Sequence, residues 1–152
     1  MRLESEVVNN SSSWVNLSAA ILVVWLRCRD KVHMVKIILA EDDDDLRKFL
    51  VKALEKAGHQ VKAFGEGASA FEEIKQEAFD LLLTDIVMPE MDGIELARRA
   101  AELDPALKIM FITGFAAVAL NPDSRAPKDA KVLSKPFHLR DLVDEVNRLV
   151  AA

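Results

Sequence analysis

Only one cysteine, Cys28, occurs in the 152 residues. A single thiol forms no internal disulfide and supplies no multi-thiolate metal site, so nothing calls for an oxidising compartment. Basic residues are in deficit: 20 Lys+Arg stand against 25 Asp+Glu, a formal charge of -5. That balance argues against a nucleic-acid surface, which draws most of its affinity from clustered Lys and Arg. Long apolar runs are missing too. The longest apolar stretch, Trp14–Leu26, is broken by Asn16 and Ser18 and falls short of the ~20 residues that span a bilayer. A secretory signal is also unsupported, because the first ten residues hold two glutamates and one arginine where a basic start is needed. What remains is 51% hydrophobic and 30% charged, the profile of a folded, cytoplasmic, single-domain protein.

The leading segment differs from the rest. Arg2, Arg27, Arg29 and Lys31 outnumber Glu4, Glu6 and Asp30, so the acidity lies beyond residue 34, and both tryptophans, Trp14 and Trp25, fall before it. Residues 1–33 are therefore read as an N-terminal extension, disordered or upstream of the true start. The domain is read over 34–152.

From Val35 onward, strand and helix patterns alternate. Val35–Ala40 (VKIILA), Gln60–Phe64, Phe79–Asp85 (FDLLLTD), Lys108–Thr113 (KIMFIT) and Lys131–Ser134 read as five strands. The first, third and fourth are continuous apolar runs, as buried parallel strands should be. Leu46, Phe49, Leu50, Ala53, Leu54 and Ala57 recur at helical spacing, closed by Gly58. Further helices are expected over Ala68–Glu77, from Gly93 to Leu103 before Asp104-Pro105, and over His138–Val150. Ala116–Leu120 predicts only a short helix, followed by an irregular stretch with Pro122 and Pro127. Such alternation predicts a three-layer α/β domain, a doubly wound parallel sheet covered on both faces. Its ligands should bind beyond the carboxyl ends of the strands.

Those ends carry chemistry. The first strand runs into Glu41-Asp42-Asp43-Asp44-Asp45, the third into Asp85, the fourth into Thr113 and the fifth into Ser134-Lys135-Pro136. Converging carboxylates repel one another unless a cation offsets them, and a hard divalent ion such as Mg²⁺ suits all-oxygen donors. Lys135 and the Thr113 hydroxyl suit an anion with several oxygens. An acidic run also fits a solvated first helical turn, with one of Asp43, Asp44 and Asp45 as its cap. The histidines His33, His59 and His138 share no spacing and suggest no ligand set.

The stretches IILAEDDDDLRKFL, LLLTDIVMPEMDGIELA, MFITG and LSKPF resemble the receiver domain of bacterial two-component response regulators. The resemblance covers nearly everything beyond the leader. It implies the flavodoxin-like (βα)₅ fold with strand order 2-1-3-4-5. By that likeness Asp85 is the phosphoacceptor, loaded from a histidine kinase or histidine phosphotransfer protein. Glu41 and Asp42, with Asp85 and the Val87 carbonyl, are the Mg²⁺ ligands. Thr113 is the switch hydroxyl, and Lys135, in a cis Lys135-Pro136 peptide, pairs with the phosphoryl group. The chain departs from the family in four places. Glu41 replaces the usual aspartate and reaches the metal through water. Val132 stands where many members carry a rotating aromatic. Val87 and Phe115 are apolar beside the site, which predicts slow loss of the phosphoryl group to water.

No linker or second domain is visible after Lys135, so output by protein–protein contact is expected. TDIVMPEMDGIELARRA, FITGFAAVALN and APKDAKVLSKPFHLR are similar to the stand-alone members that act as phosphorylation-switched adaptors of the ClpXP protease, binding the unfoldase ClpX when unphosphorylated. The alternative is a phosphorelay shuttle between histidine phosphoproteins. An aspartate-dependent phosphohydrolase fits poorly, because its general-acid aspartate would fall at Val87. Leu149-Val150-Ala151-Ala152 fits either an unfoldase degron or a plain helix end.

Overall fold

The structure is a computed structural model that describes residues 34–151. The expected extension over 1–33, and Ala152 of the C-terminal motif, lie outside the described residues. Among the described residues five strands, β1 (Lys36–Ala40), β2 (Gln60–Phe64), β3 (Leu81–Thr84), β4 (Lys108–Thr113) and β5 (Lys131–Ser134), alternate with five helices. The helices are α1 (Asp44–Lys56), α2 (Gly67–Gln76), α3 (Gly93–Leu103), α4 (Ala116–Leu120) and α5 (Leu139–Ala151). All strand pairs are parallel, in the order β2-β1-β3-β4-β5. The expected fold class and the five alternations are borne out.

Period-two alternation divides the apolar residues between the two faces of the sheet. Ile37, Leu39, Leu81, Leu83, Met110 and Ile112 pack with Leu50 and Leu54 of α1 and Leu142 and Val146 of α5. On the opposite face Ile38, Leu82, Ile109 and Phe111 pack with Ala70 of α2 and with Leu96, Ala97 and Ala100 of α3. Each fully buried leucine or isoleucine contributes about 1.5–3 kcal/mol, against about 0–1 kcal/mol for an exposed ion pair. The two apolar layers therefore hold the fold, and the charged surface adjusts it. Among the described residues no helix is long and apolar enough to cross a membrane.

Helix ends follow local chemistry. Asp43 caps α1 by accepting the Leu46 N–H at 2.9 Å, and Asp92 caps α3 by accepting the Glu95 N–H at 2.8 Å. Gly58, at φ +96°, lets the chain turn out of α1. His59, 4% exposed, then sits beneath α5 with its Nε2 3.0 Å from Asn147 Oδ1. The third strand is shorter than the expected Phe79–Asp85. At its start the Asp80 carboxylate accepts the Lys36 N–H at 2.8 Å. At its end the Asp85 carboxylate turns onto the loop that follows.

Glu77, at the end of α2, pairs with Lys36 of β1 and Lys62 of β2. Hydrogen bonds from Lys36 first, then Lys62, lower its carboxyl from 4.5 to about 2. A carboxyl depressed on folding stabilises the fold above its unfolded value, and that contribution is lost as pH falls toward the folded one. Glu77→Gln should therefore flatten the loss of stability between pH 4.5 and about 2. Urea midpoints across that window check this; parallel profiles for the two proteins would contradict it.

Candidate functional site: an acidic pocket at the strand ends

Glu41 leaves β1, Asp85 leaves β3 and Lys135 leaves β5, and the parallel sheet delivers all three to one edge. Glu41 is 1% exposed and Asp85 8% exposed. Two buried carboxylates side by side need a counter-charge, because burial penalises each anion and each repels the other. Lys135 supplies it. Its Nζ donates to Asp85 Oδ2 at 2.8 Å and to Glu41 Oε2 at 2.9 Å. Asp42 is solvent-exposed and completes the cluster, in which one oxygen from each of Glu41, Asp42 and Asp85 lies within 4.8 Å of the others.

The second oxygen of each buried acid is held by backbone. Asp85 Oδ1 accepts the Ile86 N–H at 2.6 Å and the Val87 N–H at 3.4 Å, and Glu41 Oε1 accepts the Asp43 N–H at 3.2 Å. Burial pushes the Glu41 carboxyl above its ordinary value, although the Lys135 hydrogen bond opposes the rise. For Lys135, burial works against the charge, but the hydrogen bonds to Asp85 and Glu41 outweigh it and hold the ammonium above its usual range. Lys135 therefore stays protonated throughout the neutral range.

Thr113 ends β4, fully buried, and its hydroxyl accepts the Phe115 N–H at 3.0 Å. Its carbonyl accepts the Lys135 backbone N–H at 2.8 Å, which ties the ends of β4 and β5 together. The Lys135-Pro136 peptide is cis. Val87 and Phe115 are 54% and 59% exposed, so two apolar side chains stand in the loops beside the pocket. Met88 is buried in the core beneath the same loop.

The sequence profile of the response regulator receiver domain matches residues 37–147. The chain belongs to the response regulator receiver family. Response regulator receiver protein CpdR of Brucella abortus (strain 2308) is 74% identical over 119 residues, which cover 78% of this chain and 99% of that protein. A response regulator receiver protein from Sinorhizobium medicae has a crystal structure that is 33% identical, with a TM-score of 0.70, over 80% of this chain and 98% of that one. The response regulator protein TrrA of Thermotoga maritima, solved in complex with Mg²⁺-BeF, is 25% identical with a TM-score of 0.68, over 76% of this chain and 99% of that one.

In this receiver domain the structure gathers Glu41, Asp42, Asp85 and Lys135 into one pocket. It puts Thr113 on the adjoining strand end, with its hydroxyl turned to its own loop. The Val87 N–H faces Asp85 while its side chain is exposed. The donors are all oxygens and carry three negative charges against one Lys135 ammonium, a composition that fits Mg²⁺. One contributor was not legible as a site residue: Arg47 contacts the Glu41 carbonyl at 2.7 Å. Gly93, which the family motif makes a shaper of the loop beside Asp85, packs directly on the Asp85 backbone.

Proposed function

We propose that this receiver domain takes a phosphoryl group onto Asp85 from a phosphohistidine of a kinase or phosphotransfer protein. Phosphorylation in turn switches off binding to ClpX, so that the unphosphorylated form serves as a ClpXP adaptor. The observation that carries the first part is the Lys135 ammonium held between Asp85 Oδ2 and Glu41 Oε2 inside a three-carboxylate pocket. The adaptor output is supported by the 74% identity to CpdR and by the sequence resemblance to ClpXP adaptors.

The residues divide the work in a definite way. Because backbone N–H groups hold Asp85 Oδ1, Oδ2 is the oxygen free to exchange its Lys135 contact for phosphorus. As the Oδ2–P bond forms, the P–N bond to the donor imidazole breaks and its electron pair stays on that nitrogen. Lys135 then follows a phosphoryl oxygen. Thr113 accepts the Phe115 N–H through its oxygen, which leaves its own proton to donate to a second phosphoryl oxygen. Glu41, Asp42, Asp85 and the Val87 carbonyl would hold Mg²⁺, which supplies charge neutralisation on the transferring oxygens. Val87 and Phe115, apolar and exposed in the loops beside the pocket, offer no side-chain hydrogen bond to orient an attacking water, which supports slow hydrolysis.

Binding of the purified chain to ClpX, with and without a phosphoryl donor and Mg²⁺, tests the proposal, with Asp85→Ala run alongside. Binding should be present without donor and lost with it, and Asp85→Ala should bind in both conditions. Phosphorylation of Asp85 without ClpX binding in either state would overturn the adaptor output and favour the phosphorelay shuttle.

A further inference from the structure

Arg47 stands on the first turn of α1, six positions beyond Glu41. Its side chain is only 19% exposed. The guanidinium Nη1 donates to the Glu41 carbonyl at 2.7 Å, and Nη2 pairs with Asp44. Behind it lies Gly65, in the loop after β2, where a Cβ would come within 3.0 Å of Nη1 and 3.5 Å of Cζ. The Glu41 N–H meanwhile donates to the Phe64 carbonyl at 3.0 Å. The peptide units flanking Glu41 are therefore gripped on both sides, by the end of β2 and by the guanidinium. Five consecutive carboxylates, Glu41 to Asp45, crowd like charges into this turn. A planar guanidinium bonds a carbonyl and a carboxylate together in a way that a single ammonium does not. A surface ion pair with Asp44 would not need that burial.

We propose that Arg47 is a positioning residue for the acidic pocket. By holding the Glu41 carbonyl, with its guanidinium seated against Gly65, it fixes the β1–α1 turn so that Glu41 and Asp42 face Asp85. This inference rests on the divalent-cation part of the proposed function. Its sign separates it from plain electrostatics. Arg47 is a positive charge beside a cation site, so loss of its charge alone would tighten divalent binding. Loss of its grip on the turn weakens binding.

The test is Mn²⁺ titration of the full chain, followed by electron paramagnetic resonance at fixed ionic strength, with thermal unfolding measured in parallel. Arg47→Gln should weaken Mn²⁺ binding about tenfold, the lower end of what loss of an outer-shell partner costs a metal site. Arg47→Lys should weaken it in the same direction despite keeping the charge. Gly65→Ala, which changes no charge and shifts the guanidinium by only a few tenths of an ångström, should weaken it less. Unchanged affinity in Arg47→Gln, with only a lower unfolding temperature, would reduce Arg47 to a stabilising residue and overturn the inference. Tighter binding would overturn it in favour of a charge effect. A wild-type chain that takes up no Mn²⁺ would overturn the divalent-cation reading itself and this inference with it, a result distinguishable from the other two.

Discussion

Gly93→Ala should lower the unfolding temperature by roughly 10 °C, the largest stability loss expected from adding one methyl group to this domain. A Cβ at Gly93 would lie 1.8 Å from the Asp85 carbonyl oxygen and 2.8 Å from its carbon. The obstacle is backbone, which does not rotate away as a side-chain tip would. The Gly93 N–H also donates to the Ile86 carbonyl at 2.8 Å, and the Asp85 carbonyl accepts the Thr84 hydroxyl at 2.8 Å, so the loop is fixed on both sides of the clash. Overpacking of this kind costs about 3 kcal/mol, which for a domain of this size converts to the shift stated. The displaced segment contains Asp85, so phosphoryl uptake should fall with stability. A scanning calorimetry trace matching wild type would contradict the packing described here.

Asp85→Asn should cut phosphoryl uptake from a small-molecule donor by at least about 10³-fold, the order of loss when a nucleophile is removed. The fold should survive. The amide oxygen still accepts the Ile86 and Val87 N–H groups, and Lys135 keeps its bond to Glu41 at 2.9 Å. The change in stability should stay within about 1–3 kcal/mol, that of one charged hydrogen bond. Circular dichroism and thermal unfolding separate this from a misfolded variant. Uptake at wild-type level in Asp85→Asn would move the acceptor elsewhere, with Asp42 the nearest carboxylate that is exposed.

Parallel strands covered on both faces are legible because both sets of alternating side chains must be apolar. The runs around Ile37–Ala40 and Leu81–Leu83 announce themselves for that reason, and each strand is found. Strand limits were less legible. Asp80 and Asp85 still bond through their backbone N–H groups to the Lys36 carbonyl at 2.8 Å and the Ala40 carbonyl at 3.0 Å, so the strand fades into its loops without a residue type that marks its limits. The pocket could be anticipated from four strand ends with matching chemistry, and Glu41, Asp42, Asp85 and Lys135 do converge. Arg47 could not be anticipated, because its spacing from Asp44 is that of any surface pair on a helix. Its contact with the Glu41 carbonyl depends on the path of the turn, and its seat on Gly65 depends on a loop some twenty residues away in the sequence. His59, a lone histidine with no pattern around it, is buried against Asn147 by the packing of α5, which local sequence does not encode.

The most direct measurement is the mass of the intact chain after incubation with a small-molecule phosphoryl donor, with and without Mg²⁺. It is followed by borohydride reduction of the acyl phosphate and peptide mapping. One phosphoryl group, dependent on the divalent ion and mapped to Asp85, is the predicted result. A group that forms without the ion, or that maps to Asp42 or to a hydroxyl residue, would contradict the account.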